Sequence, residues 1–416
     1  MTDLPLGTTD NSVSWLRDRA HRAWLAADAE RQLALFDQSL RADGGFDALD
    51  TDGSPLPRNG QELHTTARLV HSYALGQAFG HDEADRMIDA GMSALRTWHR
   101  DDAHGGYVWW ADAEGPRDGP KLAYGHVFVL LAASSAKAAD HPDADALLAD
   151  IAEVLDTRFW DDARGLLCEE YSRDWSSLSD YRGMNANMHG VEAMLAAHIA
   201  TGERCWLDRA GRILSFFTEE IAPDHDWRLP EHYDADWQVD PDYSGDPMFR
   251  PAGTTPGHSL ELGRLILEHW DLEGRPDNGA PDRARKLIET ALWDGWRTDG
   301  GMVYTLHLGG NDVAIADRYW WPVTEGIGAL AALIKLGDGT TDELWYRRLW
   351  RFAESCFVDP VHGGWHPEID ATCQPVAHQF AGKPDIYHAL QATLFPLTTG
   401  LSRHHQEIGR GAAAAE

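Results

Sequence analysis

The sequence predicts an all-α protein: a single (α/α)6 barrel built from six helical hairpins, with short hairpins or loops at one end. Three observations predict it. A turn followed by aromatic or apolar residues recurs six times, bearing glycine in every copy but the fourth, the stretches between turns carry helical periodicity, and the first helix of each pair mixes small residues with polar ones. The turns are "DGGFDALDTDG" from 43, "HGGYVWW" from 104, "RGLLCEEYS" from 164, "DWRLPEHYD" from 226, "DGGMVYTLHLGG" from 299 and "HGGWHPEID" from 362. They lie about 60 residues apart, with one longer interval of about 70 before the fifth, a spacing that marks a repeat architecture.

Taken in order, the pairs read as follows. A helix over 14–40 has no partner in its own repeat and pairs with 384–398, closing the circle. The segment 62–80 sets Leu63, Ala67, Val70, Ala74 and Leu75 on one helical stripe, and 83–100 does the same with Met87, Ile88, Gly91, Leu95 and Trp98. The arrangement repeats at 122–139 with 144–160, at 186–200 with 206–219, at 257–270 with 281–293, and at 322–336 with 342–357. Each hairpin has to bury one face on its neighbours. Polar residues on the first helices, among them Arg68, His189, His258 and Glu325, fit a closed ring around a central cavity; an open superhelix is the alternative. The 416 residues form one domain, with flexible ends at about 1–12 and 404–416.

Composition narrows the function. Sixty-seven acidic residues against 36 basic ones give a net charge of -31, which repels a polyanion and excludes nucleic acid as a partner. No stretch approaches the roughly 20 apolar residues that span a bilayer, and "MTDLPLGTTD" has no basic region leading into an apolar run, so a cytoplasmic protein without membrane contact is expected. The four cysteines, at 168, 205, 356 and 373, form no close pair, so neither zinc nor a disulfide framework is expected. No metal-binding, dinucleotide or phosphate-loop motif occurs, and no cofactor is expected. Eighteen tryptophans exceed what a core requires and suit a pocket for flat polar ligands.

Three histidines sit near helix starts, each with a polar partner three residues on: His189 with Glu192, His258 with Glu261, and His388 with Gln391. Residues three apart share a helix face. In "TTPGHSLELGRL", Thr255 is a candidate cap and Pro256 fits the first helical position; in "KPDIYHALQA", Pro384 starts the helix. Histidine is the side chain best suited to exchanging protons near neutrality. Tyr124, Glu325 and the Trp320–Trp321 pair open inner helices, Arg68 lies on an apolar stripe where it needs an anionic partner, and Arg250 lies on the loop leading to His258.

The segments "ELHTTARLVHSYALG", "NANMHGVEAMLAA", "RPAGTTPGHSLELGRL", "YWWPVTEGIGAL" and "GKPDIYHALQA", in that order, resemble the N-acylglucosamine 2-epimerase superfamily over nearly the whole chain. The resemblance is nearer to its mannose isomerase and sulfoquinovose isomerase branch. It implies an (α/α)6 barrel and a cofactor-independent aldose–ketose isomerase that works through a cis-enediol or enediolate. It also implies that His258 and His388 are the catalytic histidines. Arg68, Tyr124, Asn185, His189, Arg250, Glu261, Trp321, Glu325 and Gln391 would bind the monosaccharide or line and support its pocket, with Asn187 a further contact. The ending "KPDIYHALQATLFP" departs from the epimerase pattern, and no basic cluster suited to a sulfonate is visible, so D-mannose/D-fructose is the expected pair. An inverting glycoside hydrolase on the same barrel, which needs two carboxylates across the pocket, and a helical-repeat scaffold are the competing classes. A monomer or a homodimer fits this sequence.

Overall fold

The computed structural model describes residues 4–413 except 58, 59, 244, 247–249 and 338. Twelve helices of the described residues form two concentric rings. The chain starts in the outer ring with α1 (Arg19–Phe36), then alternates inner and outer: α2 (Leu63–Phe79) and α3 (Ala84–Ala94), α4 (Ala123–Ala138) and α5 (Ala144–Val154), α6 (Met184–Thr201) and α7 (Arg204–Ser215). It continues with α8 (Pro256–Leu272) and α9 (Ala280–Gly295), α10 (Trp320–Leu336) and α11 (Thr340–Cys356), and returns inside with α12 (Tyr387–Leu394). Each inner helix touches the next, and α12 packs on both α2 and α1, so the ring is closed. Burial follows from position. Inner helix α4 is buried continuously from Gly125 to Ala136, whereas α7 buries only Trp206, Leu207, Ala210, Ile213 and Leu214, one face of an amphipathic cover.

The ring is stitched at one end by short antiparallel pairings. The residues entering each inner helix pair with the glycine-turn segment of the following repeat: Gln61–Glu62 with Trp110–Ala111, Lys121–Leu122 with Glu170–Tyr171, Arg182–Gly183 with His232–Tyr233, and Arg318–Tyr319 with Glu368–Ile369. Single bridges complete the set at Thr254 with Leu306 and Lys383 with Leu49. The last bridge joins the end of the chain to its beginning. Both single bridges follow a glycine at positive φ, Gly253 (99°) and Gly382 (69°), where a Cβ would sit 2.1 Å from the carbonyl oxygen of Leu306 or Leu49. Only glycine admits so close a crossing.

Buried cations pin the glycine turns to these entry strands. Lys121 Nζ lies 3.0 Å from Asp101 and 2.5 Å from the Gly105 carbonyl; Lys383 Nζ lies 2.8 Å from Asp359 and 2.6 Å from the Gly363 carbonyl. Arg318 takes the same part with Asp299 at 2.9 Å.

Two expectations, on the cysteines and on Pro384, are corrected. Cys356, in the last turn of α11, is disulfide-bonded to Cys373, because the Glu368–Ile369 strand turns the chain back over the helix end and brings the two Cα atoms to 5.0 Å. The C-terminal segment forms α13 (His404–Ala413), which packs on α2, and His404 stacks on Phe395 at 4.0 Å. At the other end, the buried Arg347 guanidinium donates to the carbonyls of Thr8, Asp10 and Val13, holding that segment against α11. Pro384 precedes α12 and does not begin it; Asp385 Oδ1 accepts the Tyr387 amide at 3.0 Å, so the helix starts three residues later. No described helix is long and apolar enough to cross a membrane.

Removing one member of a buried ion pair leaves the other charge uncompensated. Lys383→Met is therefore expected to lower unfolding stability by about 3–5 kcal/mol, read as the shift of the urea midpoint. The double variant Lys383→Met/Asp359→Asn should recover most of that loss.

Candidate active site

The N-terminal ends of the inner helices surround a cavity of about 290 Å³, near the lower end of the range for small-molecule sites. His258, the third residue of α8, and His388, the second of α12, both line it. Each ring is held from behind by a carboxylate. His258 Nδ1 lies 3.0 Å from both oxygens of Glu231, and His388 Nδ1 lies 2.8 Å from Glu325 Oε1. A carboxylate accepts, so Nδ1 of each ring donates and Nε2 carries the free lone pair of the neutral ring. Two proton acceptors thus share one chamber.

Trp321 sets their relation. Its indole packs on His258 at 5.0 Å and on His388 at 5.9 Å between ring centroids, tilted 31° and 33°. The contact requires Gly257, where a Cβ would fall 2.4 Å from the indole.

Arg68 supplies the cavity's cation. It donates to the Tyr124 hydroxyl at 3.0 Å and to Asp385 Oδ2 at 3.3 Å, with its guanidinium over Phe128 (4.6 Å) and Tyr387 (4.8 Å). Burial opposes its charge, but Tyr124 and Asp385 outweigh burial and keep it protonated. Burial pushes the Tyr124 hydroxyl up to about 12, against the pull of Arg68, so it remains a neutral phenol. Asp385 performs two tasks with two oxygens: one caps α12, the other holds Arg68.

A proton-sharing group forms the deeper wall. His189 Nδ1 lies 3.5 Å from Glu192 and 3.5 Å from Glu261. Burial lowers His189 to about 4, so the ring is neutral near pH 7. Glu261 is pushed well above the usual carboxylate range by burial and by the nearby Glu325 and Glu192. Burial acts on Glu192 in the same direction, but His189 and Arg264 hold its carboxyl low, and it accepts from the Tyr387 hydroxyl and from Gln391 Nε2 (3.2 Å). His189, Glu192 and Glu261 are close enough to hold a cation among their oxygens and nitrogen.

Of the residues singled out in the sequence, His258, His388, Arg68, Tyr124, Asn185, His189, Glu261 and Trp321 line this cavity. Glu325 and Gln391 lie behind it, one on His388 and the other on Glu192. Arg250 does not reach it. It lines a neighbouring cavity of about 340 Å³ that shares Tyr124 and Asn185, and it pairs with Glu170 at 3.0 Å under the Tyr181 ring. Asn187 is buried against the backbone of Leu167 and Gly183 and faces away from the sugar cavity. Glu231, Asp385 and His64, the last stacked on Trp109 at 4.7 Å, were missed. The signal for Glu231 was its place in the fourth turn, "LPEHYD", matched by "HPEID" in the sixth.

The family model for N-acylglucosamine 2-epimerase matches residues 44–392. A D-mannose isomerase of Thermobifida fusca is 42% identical over 92% of this chain and 96% of its own length. One of Pseudomonas cannabina pv. alisalensis is 39% identical over 92% and 94%. A crystal structure of a D-mannose isomerase superposes with a TM-score of 0.83 at 31% identity, covering 90% of this chain and 97% of that one.

One group behind the site yields a pH prediction. Glu268, on α8, accepts from Arg264 at 2.5 Å, and burial, opposed by Arg264, pushes its carboxyl up to about 7. Between the ordinary value of 4.5 and about 7 the folded protein keeps a proton that the unfolded chain has released. That contribution to stability is present below the window and is lost as pH rises through it. Glu268→Gln cannot titrate, so its stability relative to wild type should rise across this window by about 3 kcal/mol at most. Urea melts of both proteins at pH 4.5 and pH 8 read the difference.

Proposed function

The chain belongs to the N-acylglucosamine 2-epimerase family, and we infer that it is an aldose–ketose isomerase interconverting D-mannose and D-fructose. The observation that carries this reading is the pair of imidazoles, each backed by a carboxylate and each packed against Trp321, in one monosaccharide-sized cavity. Such a site suits proton movement between neighbouring carbons. A glycoside hydrolase would need an ionised carboxylate facing an acid across the substrate. Of the three carboxyls lining this cavity, Glu62, Glu261 and Asp385, the last is committed to Arg68 and to the helix cap, and burial with the nearby Glu325 and Glu192 pushes Glu261 well above the usual carboxylate range.

The residues divide the work as follows. His258 opens the sugar ring by moving a proton between the anomeric hydroxyl and the ring oxygen. His388 Nε2 then takes the proton from C2 of open-chain mannose, and the bonding electrons pass into the C1 carbonyl. Negative charge grows on that oxygen, where the Arg68 guanidinium meets it; a fixed charge aimed at developing charge is the largest single aid to such a step. The imidazolium returns the proton to C1 on the same face, His258 relays the O2 proton to the O1 oxyanion, and the C1 hydroxyl and C2 carbonyl of fructose form. Arg68 and His388 keep register because Asp385, three residues before His388, holds the arginine. Glu325 steadies the imidazolium while it holds the proton. Tyr124, Asn185, His189 and Glu261 offer hydrogen-bonding groups to the hydroxyls, and Trp321 offers an apolar face.

A positioned proton-transfer group contributes ~10²–10⁴ in rate. His388→Ala should therefore lose activity by at least that range with an unchanged circular dichroism spectrum and melting curve. A folded variant that keeps near-full turnover would refute the mechanism. Incubation with mannose, glucose, fructose, lyxose, sulfoquinovose and cellobiose in deuterated water, followed by NMR, should show conversion of mannose and fructose with deuterium entering at C1 or C2. Faster turnover of sulfoquinovose would overturn the choice of sugar.

A further inference from the structure

We propose that Asp317, Glu368 and His378 form a binding site for one divalent first-row transition-metal ion at the rim of the sugar cavity. One ligand atom from each of the three, two carboxylate oxygens and an imidazole nitrogen, all lie within 4.8 Å of one another. Ligands at about 2.0–2.2 Å from one ion lie at most about 4.4 Å apart, so these side chains would have to draw in only slightly to bind it. Strand pairing prepares the site: Arg318–Tyr319 runs antiparallel to Glu368–Ile369, which fixes Asp317 beside Glu368.

Glu368 gives the strongest indication. The residue is 1% exposed, and its Oε2 accepts the amides of His378 (3.0 Å) and Gln379 (2.9 Å). Its Oε1 is buried without a hydrogen-bond partner, 3.4 Å from His378 Nδ1. A buried carboxylate oxygen in that state is costly unless a cation meets it. The nearby Arg318 is paired with Asp299. The matching glutamate of the fourth turn, Glu231, spends its carboxylate on the His258 ring, whereas Glu368 aims at a histidine whose side chain is 70% exposed. One imidazole with two carboxylates favours zinc or manganese over magnesium.

The consequence is mechanical. His378 is followed directly by Gln379, Phe380 and Ala381, which form one wall of the sugar cavity. An ion on His378 would tie that wall to the Glu368 strand. Metal binding stands apart from the sugar reaction and is read without it.

The full chain, stripped with EDTA, is titrated with Zn²⁺ by calorimetry and melted with and without it. The expected result is saturable one-to-one binding with a raised melting temperature. His378→Ala and Asp317→Asn change exposed residues and should fold as wild type, yet weaken Zn²⁺ by roughly tenfold or more. Absent binding, equal binding by both variants, or Mg²⁺ bound as tightly as Zn²⁺ would overturn the site.

Discussion

The whole active end of the molecule hangs from six short antiparallel pairings, each joining the entry strand of an inner helix to the next repeat's glycine turn. A two-residue ladder is feeble alone. Closed in a circle, each one is braced by its neighbours, and the last, Lys383 with Leu49, makes the first and final repeats adjacent. That bridge has to be crossed before Arg68, from the first inner helix, can meet Asp385 and His388 from the last. The buried lysines 121 and 383 make the same clamp twice, which shows how the ring spends charge on geometry: a cation surrounded by a carboxylate and a carbonyl fixes where a turn must lie.

The same economy governs the two histidines. Each accepts orientation from a carboxylate that belongs to a different element: Glu231 from a turn, Glu325 from a neighbouring inner helix. Glu231 also accepts the Thr255 amide at 3.2 Å, so one carboxylate both caps α8 and sets the ring three residues on. Asp385 does the equivalent for α12 and Arg68. Helix start and chemical group are therefore set by a single side chain, and neither can drift without the other. Deeper in the barrel the charges are balanced differently: burial and the neighbouring Glu325 and Glu192 push Glu261 well above the usual carboxylate range, which disfavours a second anion on that wall.

Much of this was legible in the sequence because repeats amplify weak signals. Six recurring turns located the hairpins, and the small-plus-polar inner helices separated ring from solenoid. What stayed hidden depends on contacts between distant segments. Glu231 and Asp385 look like ordinary loop acids until the ring places them 27 residues before His258 and 317 after Arg68. Arg250 sits close to His258 in sequence, yet its guanidinium is drawn to Glu170 and the face of Tyr181, away from the sugar. The Cys356–Cys373 pair escaped notice because its 17-residue separation means nothing until the strand at Glu368–Ile369 folds back. The C-terminal helix carries a single large apolar residue, Ile408, and is held through His404 on Phe395 and its packing on α2.

The indole of Trp321 explains why two imidazoles suffice. Each Nδ1 hydrogen is held by a carboxylate, so both Nε2 atoms carry lone pairs and cannot hydrogen-bond to each other; packing alone sets how the rings are spaced. Trp321 supplies that packing by lying against both rings while offering no acceptor of its own, only a single donor at Nε1. Gly257 lets the indole in by leaving its Cβ position empty, directly beside the histidine it guards. The separation is a property of packing, fixed before substrate arrives, and a prearranged site of this kind loses little to reorganisation when charge develops.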